Sequence, residues 1–250
     1  MTRLALVTGG MRRIGGAIAA RLARDGHDLA LHGSGAPDAA LAAVLAETGV
    51  EWACFTADLA DAAATDALFT TVTTRFGRAP DVLVNNASRF DHDTPASIGH
   101  AAIAAHHAVN LAAPAVLARH VAAAASPERP AVVVNILDQR IAEPNGDQLS
   151  YTLSKLALAD LTRILARSFA PDTRVTGVAP GLTLPTGDYA EGQMERVAGR
   201  MPLHRLATPE EIADAVAWLV AAPSVTGQIL FVDGGAHLCR YERDFLFMES

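Results

Sequence analysis

Short apolar runs alternate with longer helix-like stretches along the whole chain, and this rhythm restricts the possible fold more than any other feature. The runs are Leu4–Val7, Asp28–His32, Trp52–Thr56, Val82–Asn85, Ala131–Ile136, Arg174–Val178 and Gln228–Val232. Helices are expected between them at about 14–25, 38–48, 62–76, 98–124, 151–170 and 208–221. The last has a well-marked start in Thr208-Pro209-Glu210-Glu211, with an N-cap, a proline at the first helical position and acids in the first turn. Strands separated by crossover helices build a parallel sheet covered on both faces, so a seven-stranded α/β sheet is expected.

Composition narrows the class of partner. Half of the 250 residues are hydrophobic and 19% are charged, which excludes a disordered or fibrous chain and suffices for one domain over residues 1–250. A formal charge of −7 and no basic run argue against nucleic acid or an anionic membrane as partner, and for a small molecule. Cys54 and Cys239 are the only cysteines, so neither a disulfide framework nor a cysteine zinc site can be built, and a reducing, cytoplasmic setting is expected. No metal is expected either. His106 and His107 are adjacent on a helix and cannot face one ion, and His237-Leu238-Cys239 has no further ligands nearby in sequence. The apolar start at Leu4 is too short for a signal segment. The Ala-rich stretch 101–125 is broken by His106, His107, Asn110, Arg119 and His120, which predicts a soluble helix rather than a membrane span.

The first strand runs into Thr8-Gly9-Gly10-Met11-Arg12-Arg13-Ile14-Gly15-Gly16 and then a helix. Such a turn converges backbone amides and a helix N-terminus where a pyrophosphate could sit, which points to a Rossmann-type dinucleotide fold. Residues 1–136 would then form the cofactor half, and 137–250 the half with the catalytic groups and a substrate lid at about 182–207. The second strand ends Leu31-His32-Gly33-Ser34-Gly35, without the acid that would hold a ribose 2′-hydroxyl and repel a 2′-phosphate. Arg12 and Arg13 stand beside the turn with donors suited to phosphate. NADPH is therefore expected over NADH.

Downstream, Tyr151 and Lys155 are four residues apart, on one face of a helix. An ammonium that close is expected to lower the phenol's pKa toward the range useful for proton transfer. Lys155 is the only lysine among 20 basic residues, which marks a place where a compact ammonium is needed and a guanidinium would not serve.

These motifs resemble the short-chain dehydrogenase/reductase superfamily over nearly the whole chain. The matching features are the glycine turn, Asp58-Leu59, Asn85-Asn86-Ala87-Ser88, Asn110, Tyr151 with Lys155, Pro180-Gly181 and Asp233-Gly234-Gly235. Three departures from the common pattern resemble pteridine and dihydromonapterin reductases in particular. The middle glycine of the turn is Arg13, Ser88 replaces a glycine with Phe90 two residues on, and Asp138 occupies the usual position of a catalytic serine, thirteen residues before Tyr151. The resemblance implies catalysis by Asp138, Tyr151, Lys155 and Asn110, the last holding a relay water. It implies cofactor contacts from Gly9, Arg12, Arg13, Ile14, Gly15, His32, Ser34, Asp58, Leu59, Asn86, Ala87, Ser88, Lys155, Pro180, Gly181 and Thr183. Substrate contacts would come from Ser88, Phe90, Asp138, Tyr151 and Leu182, with Phe90 stacking on a pterin ring. A homotetramer is the expected assembly.

The sequence leaves three readings open: an NADPH-dependent dihydropterin reductase with weak dihydrofolate reduction, a 3-oxoacyl or other ketone reductase that carries Asp138, and a non-catalytic cofactor-sensing regulator. The third would be expected to have lost Tyr151 or Lys155, and both are present.

Overall fold

The computed structural model describes residues 2–185 and 189–248. Its sheet contains β1 (Leu4–Thr8), β2 (Asp28–His32), β3 (Trp52–Phe55), β4 (Val82–Asn85), β5 (Ala131–Ile136), β6 (Thr173–Pro180) and β7 (Ile229–Val232), in the order β3-β2-β1-β4-β5-β6-β7. Every pairing is parallel. The strand order reverses between β1 and β4, and in open α/β sheets ligands bind beyond the strands' carboxyl ends at such a point.

The two-residue period of β1 divides the core. Ala5 and Val7 pack on one face with Ile18 and Leu22 of α1 (Arg13–Arg24), Leu41 of α2 (Ala39–Thr48) and Ile212 and Val216 of the last long helix, Pro209–Ala221. Leu4 and Leu6 pack on the other, with Leu68 and Val72 of α3 (Ala62–Phe76) and Leu117 and Val121 of the segment before β5. The expected doubly covered parallel sheet is what forms.

The helix expected at 98–124 is continuous but not uniform. It comprises α4 (His100–His107), a π-helical turn at Ala108–Ala112, and α5 (Ala113–Ala124). Pro114 explains the interruption, since it lacks the N–H that an α-helix would direct to the carbonyl of Asn110 four residues earlier. His100–Ala124 is also long and apolar enough to cross a membrane by length and composition, with mean hydropathy 1.4, contrary to the expectation from its interruptions. In the fold it is a flanking helix: α5 packs on α3 and the sheet, and His106 and Asn110 are fully buried.

Beyond β5 a 3₁₀ turn (Gln139–Ile141) leads to α6 (Leu149–Ser168), which begins two residues earlier than expected. β6 extends past its expected end to Pro180. The region expected as a lid contains α7 (Gln193–Arg200) and is followed by α8 (Pro209–Ala221); its residues 186–188 lie outside those described. The chain closes with short helical turns at Ala236–Leu238 and Phe245–Phe247.

Candidate active site

Asp138 leaves the end of β5 in extended conformation, and Tyr151 enters in the first turn of α6. The Tyr151 hydroxyl donates to Asp138 Oδ2 at 2.9 Å, while Asp138 Oδ1 accepts the Arg140 amide at 2.9 Å. One turn along α6, Lys155 Nζ donates to the Ile136 carbonyl at 2.8 Å and lies 5.6 Å from the centre of the Tyr151 ring. Tyr151 and Lys155 are both buried. Asn110 sits below them in the π-helical turn, donating to Ser154 Oγ and the Arg89 carbonyl at 2.9 Å each and accepting from the Arg89 amide at 2.8 Å. With its side chain so engaged, Asn110 has a main-chain carbonyl deprived of its α-helical donor by Pro114.

The electrostatics differ from the expected pairing of phenol and ammonium. Burial, then the Asp138 carboxylate, hold the Tyr151 hydroxyl well above its ordinary pKa, and the cation that opposes this rise is Arg140 rather than Lys155. Burial in turn lowers Lys155 to about 8, against a smaller upward pull from Asp138. Tyr151 is thus the hydrogen-bond donor of the pair and holds its proton tightly.

The cofactor turn is shaped by close backbone approach. Gly9 has φ +63°, and a Cβ on Gly15 would lie 2.0 Å from the Gly9 carbonyl oxygen and 2.5 Å from Asn86 Nδ2. Asn86 Nδ2 donates to the Thr8 and Gly9 carbonyls at 2.9 and 3.1 Å, and Thr8 Oγ1 accepts the Asn86 and Ala87 amides at 3.0 Å each. These bonds tie the ends of β1 and β4 into the crevice wall. α1 starts with no capping side chain, whereas Asp38 and Asp61 cap α2 and α3. Its first amides are thus left to an anionic group, and the residues present fit a dinucleotide. Arg13, in left-handed conformation at φ +56°, and Arg12 are both exposed at this opening. Leu59 is buried, while the Asp58 carboxylate accepts the Ala60 amide at 2.9 Å. Gly181 packs so closely on Asp233 that a Cβ would stand 2.7 Å from the Asp233 Cβ, and Thr183 Oγ1 donates to the Gly181 carbonyl at 2.9 Å.

Two of the expected contact residues are engaged by other groups of the protein. His32 is buried, its Nε2 donates to the Ala57 carbonyl at 3.0 Å, and burial lowers its pKa. The ring is therefore neutral with a lone pair on Nδ1, which would repel a phosphate oxygen; Arg12, Arg13 and the exposed Ser34 remain for that purpose. Ser88 turns toward Asn110, its Oγ 3.2 Å from Oδ1, and is not part of the substrate cavity wall.

That cavity, about 220 Å³, opens at the Asp138–Tyr151 pair and is bounded by Phe90, Leu182, Thr183 and Tyr189. The Phe90 ring, 38% exposed, meets Tyr151 edge-on with centres 4.7 Å apart, and the Arg140 guanidinium stands 5.6 Å from its centre. The sequence reading missed Arg140, Asp244, Phe245 and Leu246, which complete the wall. Among the described residues, no three His, Cys, Asp or Glu side chains cluster as a metal site requires.

The family described as enoyl-(acyl carrier protein) reductase matches residues 9–237. With the parallel sheet and the Asp138, Tyr151 and Lys155 arrangement, this places the chain in the short-chain dehydrogenase/reductase family, and it is an oxidoreductase. Among its relatives, the 3-oxoacyl-[acyl-carrier-protein] reductase FabG of Staphylococcus aureus is 30% identical over 95% of this chain and 99% of its own length. The cis-4-hydroxycyclohexanecarboxylate dehydrogenase of Sinomonas cyclohexanicum is 34% identical over 93% and 96%. Among solved structures, FolM alternative dihydrofolate reductase 1 of Brucella canis, complexed with NADP, is 36% identical with TM-score 0.87, covering 98% of both chains.

Proposed function

We propose that this enzyme reduces the C=N bond of a 7,8-dihydropterin, with NADPH as the preferred cofactor. The observation that carries the reading is the 2.9 Å bond between Tyr151 and Asp138, an acid where the resemblance places a serine in ketone reductases, beside the partly exposed Phe90 ring. The likeness to the NADP-complexed FolM structure supports both substrate and cofactor. The glycine turn, Arg12, Arg13 and Lys155 would hold the cofactor, which when bound supplies hydride. Phe90 stacks on the flat ring and sets its distance from Tyr151. The proton held between Tyr151 and Asp138 goes to N5, and the anion left on the pair is stabilised by Arg140 and Lys155. Solvent returns the proton by way of a water at the Asn110 carbonyl.

Ketone reduction is the second reading, favoured by the FabG relative. An NADPH-oxidation assay on a 7,8-dihydropterin, dihydrofolate and a β-ketoacyl thioester separates them. The dihydropterin should give the highest kcat/KM and dihydrofolate a weak rate. A higher kcat/KM on the thioester would overturn the proposal.

A further inference from the structure

Residues 241–248 fold back onto the active site. Arg140 is 7% exposed although it is a full guanidinium two residues beyond Asp138. Its Nη2 donates to Asp244, its Nη1 donates to Gln148 Oε1 at 3.1 Å, and its Nε lies 3.8 Å from Asp138 Oδ1. Its planar head stands 5.6 Å from the centres of both the Phe90 and the Tyr151 rings. Gln148, whose φ of +47° is unusual for a residue with a side chain, starts the helix that carries Tyr151 and Lys155. Thus Asp244 in the tail acts through Arg140 on the stacking ring, the proton donor and the catalytic helix together.

The tail is anchored on both sides. Asp147 accepts the Asp244 amide and Arg243 Nε, each at 2.8 Å. Gln193, the first residue of α7, donates to the Leu246 carbonyl at 2.9 Å and the Phe245 carbonyl at 3.2 Å. Phe245 is buried against Val197 and Met201, and with Leu246 it lines the cavity that Tyr151 also lines. A guanidinium in so enclosed a place requires its carboxylate, because removing one partner leaves a desolvated charge unmatched.

We infer that residues 241–248 are a specificity element of the active site, in which Asp244 positions Arg140 against Phe90 and Tyr151 while Phe245 and Leu246 limit the cavity to a short, flat substrate and exclude an extended acyl thioester. Asp244 and Arg140 are positioning residues in this account. The choice of substrate class rests on the dihydropterin reading above; the structural role of the tail does not.

Three variants test it: Asp244→Ala, Asp244→Asn and a chain ending at residue 240. Asp244→Ala should raise KM for the dihydropterin by about tenfold, the usual cost of an unmatched buried polar partner, while KM for NADPH stays within about twofold. Equilibrium binding of an oxidised pterin with NADP⁺ present, where no turnover occurs, should weaken by the same factor. Asp244→Asn should lie between Ala and the native residue, and it decides the matter if the shortened chain does not fold. The shortened chain should gain kcat/KM on the thioester relative to the dihydropterin. If the unaltered enzyme fails on dihydropterins, the substrate reading fails by itself, and tail removal is then read on the thioester alone, where a gain still supports a limiting tail. Unchanged pterin binding in both Asp244 variants, or a shortened chain with unaltered selectivity, would overturn the inference.

Discussion

Replacing Asp138 by asparagine should move the titration of Lys155, and the size of the effect can be worked from the site. Burial has brought this ammonium from an ordinary 10.5 to about 8, and Asp138 is the charge that keeps it from falling further. The interval is about 2.5 pH units at about 1.4 kcal/mol each, so holding Lys155 as a cation in this site costs roughly 3.5 kcal/mol net of the Asp138 attraction. Without the carboxylate, the midpoint should fall by about one pH unit more, the lower end of what a nearby opposite charge contributes. Because Lys155 is the only lysine, lysine labelled with ¹⁵N at Nζ gives one side-chain signal, and its pH titration reads the group directly. The same shift has a stability consequence of definite sign. Between pH 8 and 10 the unfolded chain binds the Lys155 proton and the folded protein does not, so unfolding free energy should rise with pH across that window. Lys155→Met should remove that rise. A Lys155 midpoint near 10.5, or one that is unmoved in Asp138→Asn, would refute the electrostatic account.

Other consequences are as direct. Arg13→Ala should raise KM for NADPH by about tenfold and leave NADH unaffected, as expected for one charge-assisted contact to a 2′-phosphate; equal effects on both cofactors would assign Arg13 another role. His32→Gln should leave the NADPH KM within about twofold, since a neutral ring with its N–H committed to Ala57 donates nothing to phosphate, and a loss comparable to that of Arg13→Ala would contradict this. Tyr151→Phe should abolish turnover with NADPH binding intact by fluorescence titration, because only the transferable proton is removed.

The parts of this molecule visible in its sequence are those where local chemistry dictates one geometry. Gly9 and Gly15 mark a turn that admits no side chain, whereas the π-helical turn that holds Asn110 within the expected 98–124 helix was not anticipated. Tyr151 and Lys155 come together through helical spacing alone. What the sequence did not reveal depends on contacts between distant segments. Arg140 is separated from Asp244 by 104 residues, and it is the cation that acts on Tyr151 in the folded site. The setting of His32 was hidden for the same reason, since the carbonyl that fixes its tautomer belongs to Ala57 on the neighbouring crossover.

The central claim is that the Asp138–Tyr151 pair supplies a proton to a C=N bond, and Asp138→Ser measured on two substrates tests it most directly. On a dihydropterin, kcat should fall by about 10²–10⁴, the usual worth of a positioned acid. On a β-ketoacyl thioester the serine should serve at least as well as the aspartate, because a hydroxyl can bond the carbonyl oxygen without placing a negative charge beside a developing oxyanion. A serine variant that retains full dihydropterin activity would contradict the account.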